Sequence, residues 1–239
     1  MTDDSAVREL AEDPTSRKRF LKAVGGGGAA AALGVLIAAC GGDDKKSGSS
    51  SSTTTAAGAS TTSMTDSDMK GDIEIVNYAL TLEYLEAQFY ADVISSGVIK
   101  DPKIGAVAKK FGETEQQHVD ALIATVKKLG GTPADKPMAS FQSVIDGGPS
   151  KILETAATVE NLGAAAYLGQ AGNIKSKEIL AAALAIHSVE ARHAAALNAV
   201  IGAGFMGSGP LNGSIPDGAF AKPMAKEDVL AAVKPFLTA

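Results

Sequence analysis

Apolar residues recur every three to four positions in four separate stretches of this 239-residue chain. This spacing places them on one face of an α-helix, so it predicts four amphipathic helices. Glycine and proline divide the stretches, and we expect helices over about residues 72–95, 102–129, 150–172 and 176–202, with Asp72 or an adjacent residue as the cap of the first. The connection over 131–149 is long and irregular, whereas the other two are short. The pattern therefore predicts two helical hairpins joined by one long crossover.

Eight polar residues of these stretches fall inside the apolar stripes rather than opposite them. Each stripe holds two such residues, in the order Glu83 and Tyr90, Glu115 and His118, Glu160 and Tyr167, and Glu190 and His193. A buried, unpaired carboxylate costs several kcal/mol, and four carboxylates close together also repel one another. Two divalent cations would balance the four negative charges. The pattern therefore predicts a buried metal site.

The spacing of these residues indicates an internal duplication. The motif Glu-x-x-His occurs at Glu115 and again 75 residues later at Glu190, while Glu83 and Glu160 lie 77 residues apart. A near-constant offset is typical of a duplicated helical hairpin. One glutamate from each of two helices, with Glu-x-x-His from each of the other two, is the ligand set of a dinuclear metal site in a four-helix bundle.

The first 70 residues have a different composition from the rest. Residues 1–39 resemble a secretory signal, because a basic segment precedes an apolar run rich in glycine and alanine. The run ends in Ile37-Ala38-Ala39-Cys40, which resembles a bacterial lipobox. We therefore expect Cys40 to carry a lipid such as palmitate and to anchor the chain at the extracytoplasmic face of the membrane. A flexible tether over 40–70, a bundle over 71–203 and a tail with a short helix over 204–239 complete the predicted organisation.

Composition excludes several classes of function. The net charge is −5 and no basic patch with interleaved aromatic residues is visible, so we expect no nucleic-acid partner. The sequence contains no Gly-rich phosphate loop and no G-x-S-x-G motif, which gives nucleotide chemistry and serine hydrolysis no basis. Cys40 is the only cysteine, which excludes an internal disulfide, a Cys-x-x-Cys zinc site and a cysteine-ligated iron–sulfur cluster.

Two runs of sequence resemble the ferritin-like domain family. Ala79-Leu80-Thr81-Leu82-Glu83-Tyr84-Leu85-Glu86-Ala87-Gln88-Phe89-Tyr90 looks like the first helix of such domains, and Val189-Glu190-Ala191-Arg192-His193-Ala194-Ala195 looks like the fourth. The chain is more similar to bacterioferritin and rubrerythrin than to ferritins without a second histidine. It also resembles exported ferritin-like proteins described as desiccation-related. The resemblance implies an all-α, ferritin-like four-helix bundle.

The resemblance also implies a role for each matching residue. The six implied metal ligands are terminal carboxylates, bridging carboxylates and imidazoles, namely Glu83 and Glu160, Glu115 and Glu190, and His118 and His193. Tyr90 and Tyr167 resemble phenols that hydrogen-bond a ligand carboxylate. The chain departs from the family pattern in two respects. It has no rubredoxin-type cysteines, and its anchor and tail do not suit a hollow storage cage.

Two further residues each allow two interpretations. Glu86 lies one helical turn after Glu83, so it is either an additional or shifting ligand or a half-exposed surface residue. His187 lies one turn before Glu190, and it either binds substrate or an extra ion or packs in the core beside the site.

The predicted ligand set favours two Fe ions, or Mn, per domain, because carboxylate oxygens with one imidazole per ion suit these metals, although zinc also has affinity for such sites. The expected chemistry is metal oxidation or peroxide removal by a di-metal oxidoreductase. Two alternatives remain. One is a non-catalytic protein that protects the cell envelope during stress or desiccation, and the other is a lipoprotein that presents its bundle or tail to a partner. The expected partners are the membrane, a small oxidant (dioxygen or peroxide) and a second copy of the chain in a homodimer.

Overall fold

The four predicted long helices are present in the computed structural model, which describes residues 64–207, 209–215 and 219–238. In chain order the α-helices are α1 (Asp66–Ser96), α2 (Pro102–Lys128), α3 (Gln142–Asp146), α4 (Gly148–Ala171), α5 (Lys177–Val200) and α6 (Lys226–Val233). The described ranges contain no β-strand, so the predicted all-α class with a short helix in the tail is confirmed. The predicted signal segment, the lipidated Cys40 and most of the tether lie outside the described residues.

Helix α1 begins six residues before its predicted start, inside the segment predicted to be tether. A capping box sets this start, because the Thr65 hydroxyl accepts a hydrogen bond from the Asp68 N–H while the Asp68 carboxylate accepts one from the Thr65 N–H. Asp72 is fully buried and accepts hydrogen bonds of 2.8 Å from the N–H groups of Lys175 and Ser176. The prediction that Asp72 caps α1 was therefore wrong, since its partners lie at the start of α5.

The other ends of the bundle helices follow their local sequence. Gly97 ends α1 in the left-handed conformation, with φ of 61°, which only glycine adopts without strain. Asp101 caps α2 by accepting hydrogen bonds from two N–H groups of the first turn, and Pro102 takes the first helical position. The hydroxyl of Ser176 caps α5. These local signals explain why the short connections were predictable.

Packing of the helices places a polar layer in the middle of an apolar core. Helices α1 and α2 form one hairpin, α4 and α5 form the second, and α1 also contacts α4. One apolar cluster includes Phe89 and Leu197, and another includes Leu80 and Ile186. Along α1, Glu83 lies between Leu80 and Phe89, and along α5, Glu190 lies between Ile186 and Leu197. The apolar clusters therefore close the layer on both sides.

The segment after α5 packs back against the bundle. Val233 of α6 is buried in the same apolar cluster as Phe141 from the crossover. Ser214 donates a 2.6 Å hydrogen bond to the side chain of Asn161 on α4, which in turn donates one to Asn198 on α5. Buried polar side chains require such partners, so this network fixes the tail in one position. Within the described ranges, every helix is too short or too polar to span a bilayer.

Candidate metal centre

Each helix of the bundle brings predicted ligands to one layer of the core. These residues are Glu83 on α1, Glu115 and His118 on α2, Glu160 on α4, and Glu190 and His193 on α5. The four glutamates are fully buried, and the histidines are 8% and 7% exposed. Residues three apart share one face of a helix, so each Glu-x-x-His motif directs both side chains to the same layer. The structure thus brings all six residues together, while their role as ligands stays a prediction.

The ring of His118 meets three carboxylates through a single nitrogen atom. Its Nδ1 lies 2.8 Å from Glu115 Oε2, 3.1 Å from Glu190 Oε1 and 3.2 Å from Glu83 Oε2. A ring nitrogen carries at most one proton, and a hydrogen bond weakens steeply away from the N–H direction. One proton therefore cannot satisfy three oxygens, whereas a cation between them would contact all four atoms.

His193 has a similar environment in the second half of the layer. Its Nδ1 lies 2.9 Å from Glu115 Oε1 and 3.2 Å from Glu160 Oε2. Its ring stacks on that of Phe111, with the two ring centroids 3.7 Å apart. The two oxygens of Glu115 thus contact different imidazoles, which is the arrangement expected of a carboxylate that bridges two ions.

The donor atoms form two overlapping groups. One group is Glu83, Glu115, His118 and Glu190, and the other is Glu115, Glu160, Glu190 and His193. Within each group, one ligand atom from every residue lies within 4.8 Å of the others. Glu115 and Glu190 belong to both groups. Their four oxygens are buried, and in the described part of the chain none has a partner with hydrogen-bond geometry, despite the short contacts of Glu115 with the histidines. Unsatisfied buried oxygens are costly, and two cations would satisfy them, so the donor set fits a dinuclear metal site.

Two tyrosines hold the remaining carboxylates in a crossed arrangement. Tyr90 of α1 donates a 2.5 Å hydrogen bond to Glu160 Oε1, and Tyr167 of α4 donates one of 2.6 Å to Glu83 Oε1. Burial and the adjacent carboxylate charge raise the pKa of both phenols well above the ordinary value, so both keep the proton that they donate. Each carboxylate is thereby turned so that its Oε2 faces a histidine.

A fifth carboxylate, Glu86, borders the same layer. Its side chain is 3% exposed and its Oε2 has no hydrogen-bond partner among the described residues, so its interpretation as a half-exposed surface residue was wrong. A Cβ at Gly163 would lie 2.9 Å from Glu86 Oε1 and 3.0 Å from Glu190 Oε2, so both oxygens border the space that this glycine leaves open. Gly163 lies 77 residues after Glu86, the offset that also relates Glu83 to Glu160. This offset was the sequence signal that could have paired Glu86 with Gly163.

Electrostatic effects raise the pKa of most titratable groups in the layer, whereas for Glu115 burial is outweighed by the contacts with both histidines, which lower the pKa. Burial, reinforced by the charge of Glu190, raises the pKa of Glu86 well above its ordinary value. Burial and the charge of Glu115 have the same effect on the pKa of Glu190. Burial lowers the pKa of His193, but contacts with Glu115 and Glu160 outweigh this effect and raise the pKa to about 9. Cations that bind to these atoms must therefore displace protons.

His187 lies outside both donor groups. It is half-buried, and its Nδ1 lies 3.0 Å from the carbonyl oxygen of Ala164. A carbonyl oxygen only accepts, so Nδ1 carries the proton and donates this hydrogen bond. The contact favours the interpretation of His187 as a structural residue beside the site.

Comparison with known proteins agrees with this architecture. Residues 71–203 match the family described as ferritin-like domain, and the match includes the whole polar layer. Among curated proteins, none matches the chain. The family match covers more than half of the 239 residues. The resemblance inferred from the two helical runs is thereby confirmed, and the chain belongs to the ferritin-like domain family.

Proposed function

We propose that this ferritin-like chain binds two iron or manganese ions in its polar layer and acts as an oxidoreductase on a small oxidant. The observation that carries the proposal is the overlap of the two donor groups at Glu115 and Glu190. Each donor group would hold one ion, and because Glu115 and Glu190 belong to both groups, the two ions would be able to act together on one small molecule.

The ligand chemistry supports the choice of iron or manganese. Each donor group offers three carboxylates and one imidazole, and neither contains a thiolate. Oxygen and imidazole donors suit iron and manganese, whereas copper(I) and iron–sulfur clusters prefer soft sulfur ligands. The two groups together contain four different glutamates, and their four negative charges would balance two divalent ions. Glu86 is then a fifth acid in the layer, and a proton on Glu86 keeps the layer neutral.

Bound iron or manganese would supply electrons, since two ions that each lose one electron reduce one hydrogen peroxide, with two protons, to two waters. The residues of the chain have supporting tasks. Tyr90 and Tyr167 fix the orientation of two carboxylates through their hydrogen bonds. The apolar clusters on both sides of the layer exclude bulk water, which strengthens electrostatic interactions inside it. Burial and the charge of Glu190 raise the pKa of Glu86, which favours a proton on Glu86 beside Glu190.

Metal analysis of the reconstituted protein tests this proposal. We expect about two ions per chain, as dinuclear bundle sites hold, and peroxide consumption by the iron- or manganese-loaded protein. Glu115→Ala should lose both the metal and the turnover. Glu113→Ala is the matched control, because Glu113 lies on the same helix with an exposed side chain. A content below about one ion per wild-type chain would rule out a two-metal mechanism.

A structural role for the metal is the second candidate function, and the burial of charge favours it. Glutamates from both hairpins meet in one layer, so bound cations would link the hairpins. In that case the chain would protect the cell envelope during stress or desiccation, or present its bundle to a partner, without turnover. Full metal content with no peroxide consumption, together with a lower melting temperature for Glu115→Ala, would support this function over the first.

We also propose that the chain is exported and held at the membrane through a lipid on Cys40. The support comes from the sequence, where a basic segment and an apolar run precede Cys40. The full chain should incorporate a palmitate analogue and fractionate with membranes. Cys40→Ala should prevent both, and a variant that still fractionates with membranes would contradict lipid anchoring.

A further inference from the structure

An apolar cavity of about 90 Å³ lies at the end of the bundle where α1 and α5 finish and α2 and α4 begin. All four long helices contribute to its wall, through residues such as Val93, Ala108, Ile152 and Leu197. Every lining side chain is apolar except Tyr90, whose hydroxyl already donates its hydrogen bond to Glu160. The wall therefore offers no free hydrogen-bonding side chain to a molecule inside.

The inner end of the cavity reaches the candidate metal centre. Tyr90 and Phe111 both line it, and their rings meet edge to face with centroids 6.0 Å apart. One face of the Phe111 ring stacks on the ring of His193, with the two centroids 3.7 Å apart. One layer of side chains thus separates the cavity from two predicted ligands, His193 and Glu160.

The outer end of the cavity reaches the surface. Val107 and Val200 line it and are 40% and 51% exposed, and Ala196 is an exposed residue of the same wall. A second apolar pocket, of about 30 Å³, lies beside Tyr167 and includes the polar residues Thr125 and Gln170. In the described part of the chain, the cavity beside Tyr90 is therefore the larger and the less polar of the two.

We propose that this cavity is a binding site and entry route for a small apolar molecule of the dioxygen class. An apolar cavity of about 150 Å³ in another protein stays dry and binds benzene or xenon, and the cavity here is smaller. Water and hydrogen peroxide would lose hydrogen bonds on entry without gaining new ones, whereas dioxygen has none to lose. The route leads to His193 and Glu160 rather than to His118. Delivery of dioxygen to the metal centre through this cavity rests on the proposed function, whereas the binding of gas in the cavity does not.

Methyl NMR spectra of the metal-free protein under xenon or dioxygen pressure test the binding site. We expect xenon shifts and dioxygen-induced relaxation several-fold larger for the methyl groups of Val93 and Leu197 than for those of Leu80 and Val126. All four residues are buried, and only the first two line the cavity. Equal effects at the four positions would overturn the proposal, because the gas would then enter the core without preference.

Two variants on one face of α5 test the route. Ala196→Phe places a large ring at the mouth of the cavity, and Ala199→Phe is the matched control, because Ala199 is exposed on the same helix but does not line the cavity. We expect Ala196→Phe to weaken xenon binding and to slow dioxygen-dependent oxidation of the iron-loaded protein several-fold, with peroxide-dependent oxidation unchanged. Equal dioxygen rates in the two variants would contradict the route. A protein that binds gas in this cavity but no metal would contradict the proposed function alone.

Discussion

The two hairpins of the bundle carry the same polar residues but build unequal halves of the site. Hairpin α1–α2 contributes Glu83, Glu115 and His118, and hairpin α4–α5 contributes the corresponding residues after an offset of 77 or 75 positions. The tyrosines cross between them, since Tyr90 binds a glutamate of the second hairpin and Tyr167 binds one of the first. Neither hairpin therefore completes a site alone.

Two pairs of corresponding positions differ in a way that affects the site. The position that corresponds to Glu86 is Gly163, and the absence of a side chain at Gly163 leaves the space beside which the Glu86 carboxylate lies. The position that corresponds to Phe111 is Ile186. The ring of Phe111 stacks on the imidazole of His193, whereas Ile186 has no aromatic ring for such a contact. Both features belong to the first hairpin, because Glu86 on α1 adds an acid and Phe111 on α2 places an aromatic ring against His193. The two donor groups are therefore not equivalent, and we expect the two proposed metal positions to differ.

Removal of metal should have the largest effect, because the ions would join both hairpins. Each ion at a free concentration of about 100 times its dissociation constant contributes about 2.7 kcal/mol to the free energy of unfolding. For a domain of this size, two ions correspond to a change in melting temperature on the order of 10 °C. Thermal unfolding with and without chelator measures this change, and equal midpoints would indicate an empty site.

The melting temperature measured in the presence of chelator should also depend on pH. The folded-state pKa of His193, about 9, is above its ordinary value of 6.5. The bound proton therefore stabilises the metal-free fold fully below about pH 6.5, and this contribution is lost as the pH rises through about 9. The raised pKa of Glu86 and of Glu190 acts in the same direction. The metal-free protein should melt at a lower temperature at pH 9 than at pH 6, and the opposite trend would contradict the proton-filled layer.

Substitution of single glutamates distinguishes shared from unshared ligands. Glu115 contacts both histidines, whereas Glu160 contacts only His193. Glu115→Ala should therefore lose both ions, and Glu160→Ala should lose the ion beside His193 and keep the other. Elemental analysis with anomalous diffraction counts and locates the ions. Equal losses from the two variants would show that the halves do not bind metal separately.

Removal of a tyrosine hydroxyl should weaken one metal position at a time. Tyr90→Phe removes the hydrogen bond to Glu160 Oε1, and Tyr167→Phe removes the one to Glu83 Oε1. Loss of a hydrogen bond to a metal ligand typically lowers metal affinity by about 10- to 100-fold. In metal titrations, Tyr90→Phe should lower the affinity of the metal position beside His193. Tyr167→Phe should lower the affinity of the position beside His118. An identical titration curve for both variants would contradict this assignment.

The smallest expected effect concerns the space at Gly163. An added Cβ would meet Glu86 Oε1 and Glu190 Oε2 at 2.9 and 3.0 Å, so Gly163→Ala must move at least one carboxylate. Overpacking of this kind costs about 1–3 kcal/mol. Gly172→Ala is the control, because a Cβ there meets nothing within 4 Å. Chemical denaturation compares the two, and equal stabilities would show that Glu86 does not need this space.

Much of the fold and most of the candidate site could be predicted from local patterns. The helical spacing, Gly97, Asp101 and Pro102 define where helices begin and end, because caps and turns depend on adjacent residues. The apolar stripes also place Glu115 and His118 towards the core. The start of α1 was missed because Thr65 and Asp68 lie in a polar segment that was read as tether.

The helical period was sufficient to predict that Glu115, His118 and their counterparts face inwards, because apolar surface is buried along one side of each helix. Which of the inward-facing residues meet depends instead on how the helices pack against one another. Asp72 finds its partners about 100 residues away at the start of α5, and Glu86 is buried because Gly163 of another helix leaves room for it. Contacts of this kind depend on how two packed helices are aligned along their axes, and the hydrophobic periodicity of a single helix does not predict that alignment.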